Sequence, residues 1–261
     1  STALLSLATL TTNGHDFRLA NGTTDLTLAN SFTLSSGKLS TQGGDLIFAG
    51  SANISSGASL DATVTTGTAG KLEFKQGGTA SGTINAEKAT FKLGADYAVD
   101  GTLITSSGTT WELGDAQTPA KLDLSGGALL LGGNVVLDNV ITDNQTRFKL
   151  AEDAMVTRNT GFTLGGLNFD NNTFTLGSAT TDLTLAIGSS DNSSGSNTGS
   201  SSGSNTGSSG GQTNTGSPPG TFATKLADLT VISADAVDIT SGTTITSTGG
   251  TFTFAEGLLI N

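Results

Sequence analysis

The feature that most constrains this chain is a short apolar–polar–apolar triplet that recurs along its first three quarters. It appears as FRL at 17–19, LTL at 26–28, FTL at 32–34, LEF at 72–74, FKL at 91–93, WEL at 111–113, LDL at 122–124, FKL at 148–150, FTL at 162–164, LNF at 167–169, FTL at 174–176 and LTL at 183–185. Side chains on a strand alternate between two faces, so each triplet sends two residues into a core and one into water. The middle residues, among them Arg18, Thr27, Glu73, Lys92, Glu112, Asp123 and Lys149, are all polar. Only LIF at 46–48 and LLL at 129–131 break the rule. A helix would need apolar spacings of three and four, so the pattern is all-β.

Two longer repeats sharpen this. LTTNGHDFRLANGTTDLTL from Leu10 and LNFDNNTFTLGSATTDLTL from Leu167 share L-x6-F-x-L-x3-T-T-D-L-T-L, which reads as two strands and a turn. FKLGADYAV from Phe91 and FKLAEDAMV from Phe148 share F-K-L-x-x-D-x-x-V. Self-similarity of this kind belongs to solenoids, propellers and arrays. Turn signals such as Ser35-Ser36-Gly37 and Gln76-Gly77-Gly78 recur every few residues, leaving no room for a capped helix. The best helical stretch, Asn85 to Lys88, is one turn.

A parallel β-solenoid and an antiparallel β-sandwich both fit. Hairpin dipeptides between matched strands are rare, and the repeats are irregularly spaced, as coils with loop insertions are. Both points favour the solenoid. Each coil of roughly 20 residues then adds about 4.8 Å. Inward Phe and Leu stack in columns, and the polar middle residues form outward ladders. The sheet edges at each end need a cap or a partner. No cap is legible in STALLSLATL at 1–10 or TFTFAEGLLIN at 251–261.

Three segments follow. Residues 1–188 read as the solenoid. Residues 189–220, a Ser/Gly/Asn/Thr tract without an apolar side chain, read as a flexible linker spanning about 30 Å. Residues 221–261 return to strand patterns but are too few for a dependable core of their own. They pack as a cap on their own solenoid or dock onto a neighbouring molecule.

Composition narrows the partners. A formal net charge of −11 argues against nucleic acid and anionic membranes, both of which need clustered Lys and Arg. No apolar run approaches the roughly 20 residues of a membrane-spanning helix. With no cysteine and one histidine, disulfides, thiol redox chemistry and the usual zinc ligand sets are set aside. The chain starts at Ser1 without Met, as a processed protein or an excised piece would.

Reactive groups are sparse, and no catalytic or cofactor-binding residue is assigned. His15 beside Asp16 lacks any nucleophile motif and reads as a solvated turn. Asp25 and Asp182 hold matching places in the long repeats, and Asp45 follows Gly43-Gly44. Asp25 and Asp182 suit a turn that binds nearby main-chain N–H groups, with a calcium site as the alternative, and Asp45 after its two glycines is a further calcium candidate. Asp138 with Asp143, or Asp96 with Asp100, would serve a glycosidase or lyase if they converged, with Lys92, Lys121 or Arg147 as base or clamp. Otherwise they keep the surface soluble. Thr63-Val64-Thr65, Thr244-Ile245-Thr246 and Thr251-Phe252-Thr253 match an ice-binding T-x-T pattern locally, but not at one coil period. Trp111 and Tyr97 are isolated and read as core or rim residues.

The string LTLANSFTLSSGKLSTQGGDLIFAGSANISSGASL at 26–60 resembles the coils of filamentous-haemagglutinin-like adhesins and autotransporter passenger domains. The likeness extends over most of residues 1–188. It implies a right-handed parallel β-helix, secreted to the bacterial surface and used for adhesion, biofilm or matrix. The chain as given carries neither a translocating barrel nor a secretion-signal domain. Its composition also resembles surface-layer proteins, which form sheets of identical subunits. The expectation is a non-enzymatic extracellular protein that associates with itself through its termini into a fibre or lattice. A monomeric adhesin binding a glycan or another cell-surface ligand is the alternative.

Overall fold

The computed structural model describes residues 3–19, 22–63, 70–115 and 117–187, together with strand segments at 221–224, 229–233, 237–239, 244–247, 251–254 and 258–260. The tract at 189–220 and the last two residues of Thr63-Val64-Thr65 lie outside the described residues. Every described element is a strand or a turn, and every strand pairing is parallel, so the architecture is the β-solenoid and not the sandwich.

Three sheets wind up the molecule. The first stacks Ala3–Leu7, Thr24–Leu28, Leu46–Phe48, Lys71–Phe74, Thr90–Leu93 and Thr110–Leu113. The second stacks Phe32–Leu34, Ala52–Ile54, Gly78–Ala80, Tyr97–Val99, Leu122–Asp123 and Val140–Ile141. The third runs from Phe17–Arg18 through Gly37–Ser40, Ala58–Asp61, Thr83–Asn85, Thr102–Ile104, Ala128–Val136 and Arg147–Thr157, and onward to Thr244–Ser247. The chain visits the first, second and third sheets in turn, then climbs one coil.

The triplets explain the stacking. In register, Leu26 lies over Leu46, Leu72, Phe91 and Trp111, while Leu28 lies over Phe48, Phe74, Leu93 and Leu113. These columns fill the interior, where Phe32 stacks on Phe48 at 5.5 Å, Phe48 on Phe74 at 5.1 Å, and Tyr97 tilts against Phe74 at 4.3 Å. Each such ring buries about 150–250 Å², and leucines fill most of the rest of the core. The middle residues point outward, and so do Ile47 and Leu130 in the two exceptions. Glu73 departs from the solvated ladder expected for it. It is buried on the outer face because Lys71 and Lys92 lie over it, at 3.2 and 3.8 Å.

Both copies of the long repeat fold as strand, corner and strand: Phe17–Arg18 to Thr24–Leu28, and Thr173–Leu176 to Leu183–Ile187. The shorter repeat behaves differently in its two copies. From Phe91 it turns after Leu93 and resumes at Tyr97, whereas from Phe148 it continues as one strand, Arg147–Thr157. The helical stretch at Asn85 to Lys88 is a turn, closed by Ala89 N donating to Ala86 O at 3.1 Å, with Lys88 at φ 58°.

Above Arg147–Thr157 a further sheet stacks Phe162–Leu164, Leu183–Ile187, Leu229–Ser233 and Phe252–Phe254. Thr221–Thr224 pairs with Thr173–Leu176, and Leu229–Ser233 with Leu183–Ile187. The strands after the tract are thus added to the chain's own sheets.

Candidate functional site

The residues singled out for chemistry fall mainly at the corners between sheets, where most of them perform one task. Asp25 Oδ1 accepts Asp45 N–H at 2.9 Å, and Asp45 Oδ1 accepts Lys71 N–H at 2.8 Å. Asp16 accepts Lys38 N–H, Asp96 accepts Lys121 N–H, Asp138 accepts Asn159 N–H and Asp153 accepts Thr173 N–H, at 2.7–2.9 Å. Each carboxylate receives a main-chain donor from the next coil. A corner interrupts the ladder and leaves an amide unpaired, and an aspartate below supplies the acceptor. The local Asx turn expected for Asp25 is therefore replaced by a contact between coils, and Asp45 makes the same contact one coil on.

This accounts for the calcium candidates in part. Asp45 is occupied by Lys71 N–H, with the Lys71 ammonium 3.8 Å from its other oxygen. Asp182 is exposed on the corresponding corner, and its main-chain carbonyl accepts Phe162 N–H at 2.9 Å. Among the described residues no group of three or more His, Cys, Asp or Glu is placed to hold a metal ion.

The carboxylate pairs are likewise committed to structure. Asp143 Oδ1 accepts from Gly126 N, Gln145 N, Thr146 N and the Thr146 hydroxyl, at 2.8–3.1 Å. Burial pushes its carboxyl upward, but those four donors outweigh burial and hold it below the usual carboxylate range. A group so easily ionised is a poor general acid. Asp138 is held at both oxygens by Asn159, and Asp100 is exposed. No hydrogen bond joins Asp138 to Asp143 or Asp96 to Asp100 among the described residues. Lys92 bridges Glu73 and Glu112 on the outer face of the first sheet, and Lys121 serves through its main-chain amide. Arg147 lies on the third sheet, paired in register with Ala128 and Gly166. His15 is exposed in a turn, its N–H donating to Thr12 O at 2.9 Å.

Two surface features were not legible in the sequence. Asp16, Arg18, Lys38, Asp61 and Thr63 line a shallow polar hollow of about 220 Å³ on the third sheet, where Lys38 is ion-paired to Asp61. Arg158 is half-buried, 5.8 Å above the Phe162 ring, with Nε and one Nη lacking hydrogen-bond partners among the described residues. Its neighbours come from distant coils, which a linear pattern does not report.

Threonines also stack in one file, Thr163 with Thr184, Thr230 and Thr253. The T-x-T at 244–246 does not form a two-file ladder, because Thr246 lies over Ala223. No protein-family model, curated protein or solved structure matches this chain. The chain is a β-solenoid repeat protein, a fold consistent with a structural or adhesin role.

Proposed function

We propose that this chain is a non-enzymatic bacterial surface protein, secreted from the cell, whose solenoid is a building block of an adhesive fibre or lattice. The observation that carries the reading is the open edge of the first strand. Ala3–Leu7 is paired along all five residues with Thr24–Leu28 and has no strand on its other side among the described residues. Leu4 is 70% exposed there. Such an edge is a template for another parallel strand. The corner aspartates support a structural role, since their carboxylates accept main-chain N–H groups of the next coil.

Electron microscopy and light scattering of the purified chain test the reading. Ala3 N–H donates to Thr23 O on the paired side, so strand alternation turns Leu4 N–H toward the open edge. Leu4→Pro removes that donor at an exposed position. Filaments or ordered arrays that Leu4→Pro abolishes are the expected result. Dispersed monomers from both proteins would sink the assembly reading and leave a monomeric adhesin or glycan-binding domain.

A further inference from the structure

The first sheet stops at Thr110–Leu113, although the chain passes the same face one coil later as the second half of Ala128–Val136. Lower coils approach that face through separate corners, residues 86–89 and 105–109, but between the third-sheet half and residues 133–136 there is only a bulge after Leu131. The missing corner keeps residues 133–136 from seating on Thr110–Leu113. Below them, the chain folds back on Leu113, with Ala120 N donating to Leu113 O at 3.4 Å.

The result is a cleft of about 470 Å³ between two strand edges, lined by Trp111, Leu113, Asn134, Val136 and Asn139 among others. Ser107 packed on Gly133 bounds it at one end and Asn139 Nδ2 donating to Leu113 O at 3.5 Å bounds it at the other, so the slot seats about three extended residues and the flanks of a bound chain leave on the solvent side. Both edges present main chain to it. Thr110 N and Gly114 N donate to Ala89 O and Leu93 O of the coil below. Strand alternation turns the Trp111 main chain and the Leu113 N–H toward the cleft. Opposite, Leu137 N donates to Thr157 O, which turns the Asn134 and Val136 main chain back toward the cleft.

The core is open here too. Trp111 and Leu113 end the two inward columns and are only half-buried, the Trp111 indole N–H has no partner among the described residues, and Val136 is 58% exposed. The charged residue in the lining, Asp138, is held by Asn159. An occupant therefore needs main-chain donors and acceptors, no net charge, and two apolar side chains two residues apart.

We propose that this cleft binds an extended polypeptide segment of the pattern apolar–polar–apolar, inserted as an additional strand of the first sheet. Its main chain pairs with the edges at Trp111 and Val136. Its two apolar side chains continue the columns that end at Trp111 and Leu113, as Phe91 and Leu93 do one coil below.

Trp111 is the single tryptophan of the chain, so its fluorescence reports on the cleft directly. The probe is a capped peptide, NTFTLGS, with the uncharged sequence of residues 172–178. The control NTTFLGS has the same composition with its apolar residues adjacent. The expected result is a saturable blue shift with NTFTLGS, none with NTTFLGS, and affinity weakened about tenfold or more by Val136→Asp, which places a charge on the wall. That substitution is at an exposed residue and leaves the core intact. No shift with NTFTLGS, equal shifts with both peptides, or a shift indifferent to Val136→Asp would overturn the proposal. A shift produced by maltotriose and not by NTFTLGS would overturn it in favour of a carbohydrate site.

Discussion

Glu152 accepts hydrogen bonds from both the main-chain N–H and the hydroxyl of Ser107, reaching over Gly132 from a coil 45 residues further along the chain. A Cβ at Gly132 would collide with the Glu152 side chain along its path. The glycine is required by this crossing and not by its own backbone, since its φ is not in the left-handed region. Gly132→Ala and Glu152→Ala should therefore each lower stability by about 1–2 kcal/mol, through the same two bonds. The double variant should be no worse than either single one. Urea unfolding of the four proteins as a double-mutant cycle checks this, and additive losses would show that the glycine has a separate task.

The corner aspartates predict a local effect. Asp45→Ala removes the acceptor for Lys71 N–H, so that amide should exchange with solvent about tenfold faster, with a stability loss of about 1 kcal/mol. Asp45→Asn, which retains a carbonyl oxygen, should lose less. Asp100→Ala, at an exposed carboxylate, should leave Lys71 exchange unchanged. Millimolar calcium should leave the wild-type unfolding midpoint where it is. A calcium-dependent rise lost in Asp45→Ala would restore the metal reading for Asp25 and Asp45.

Acid should loosen the solenoid. At Asp61 burial raises the carboxyl, but the bonds from Lys38 and Thr63 outweigh it and hold the group below its ordinary value of 3.8. Asp143 is lowered in the same sense. A group whose folded pKa is depressed adds stability above its unfolded pKa and loses it as pH falls through the folded one. The urea midpoint should be flat from pH 7 to 5 and fall below about pH 4, with a shallower fall in Asp143→Asn. Lys71 has the opposite sign. Burial lowers it, but Glu73 and Asp45 raise it above 10.5, so its contribution is lost only as pH rises past its folded value.

What was legible in the sequence was local. The period of two placed Leu72 and Phe74 inside and Glu73 outside from three adjacent letters, and the repeated triplets implied stacked coils. What was not legible depended on residues about one coil apart. F-K-L-x-x-D-x-x-V turns a corner at Gly94, which packs close to Lys75 of the coil below, yet runs straight at the exposed Ala151. Asp25 reads as a turn residue and Asp45 as a calcium candidate because the amides they accept from lie in the next coil, which neighbouring letters do not show. The cleft beside Trp111 was hidden for the same reason, since it results from a corner the chain omits at Gly132.

Tyr97 gives the cleanest optical test of the interior, being the single tyrosine. It is 1% exposed, and its hydroxyl donates to Ala52 O at 3.1 Å or Thr79 O at 3.3 Å, in the two coils below. Burial drives its pKa far above the ordinary 10.0, because phenolate would be desolvated among carbonyls that repel it. Absorbance of the native chain should show no phenolate at pH 11, and at higher pH its appearance should coincide with loss of β circular dichroism. Titration near 10 in the folded protein would mean that water reaches the stack of Phe48, Phe74 and Tyr97. Tyr97→Phe should lower stability by about 1 kcal/mol, the net loss of one buried hydrogen bond, while leaving the ring stack in place.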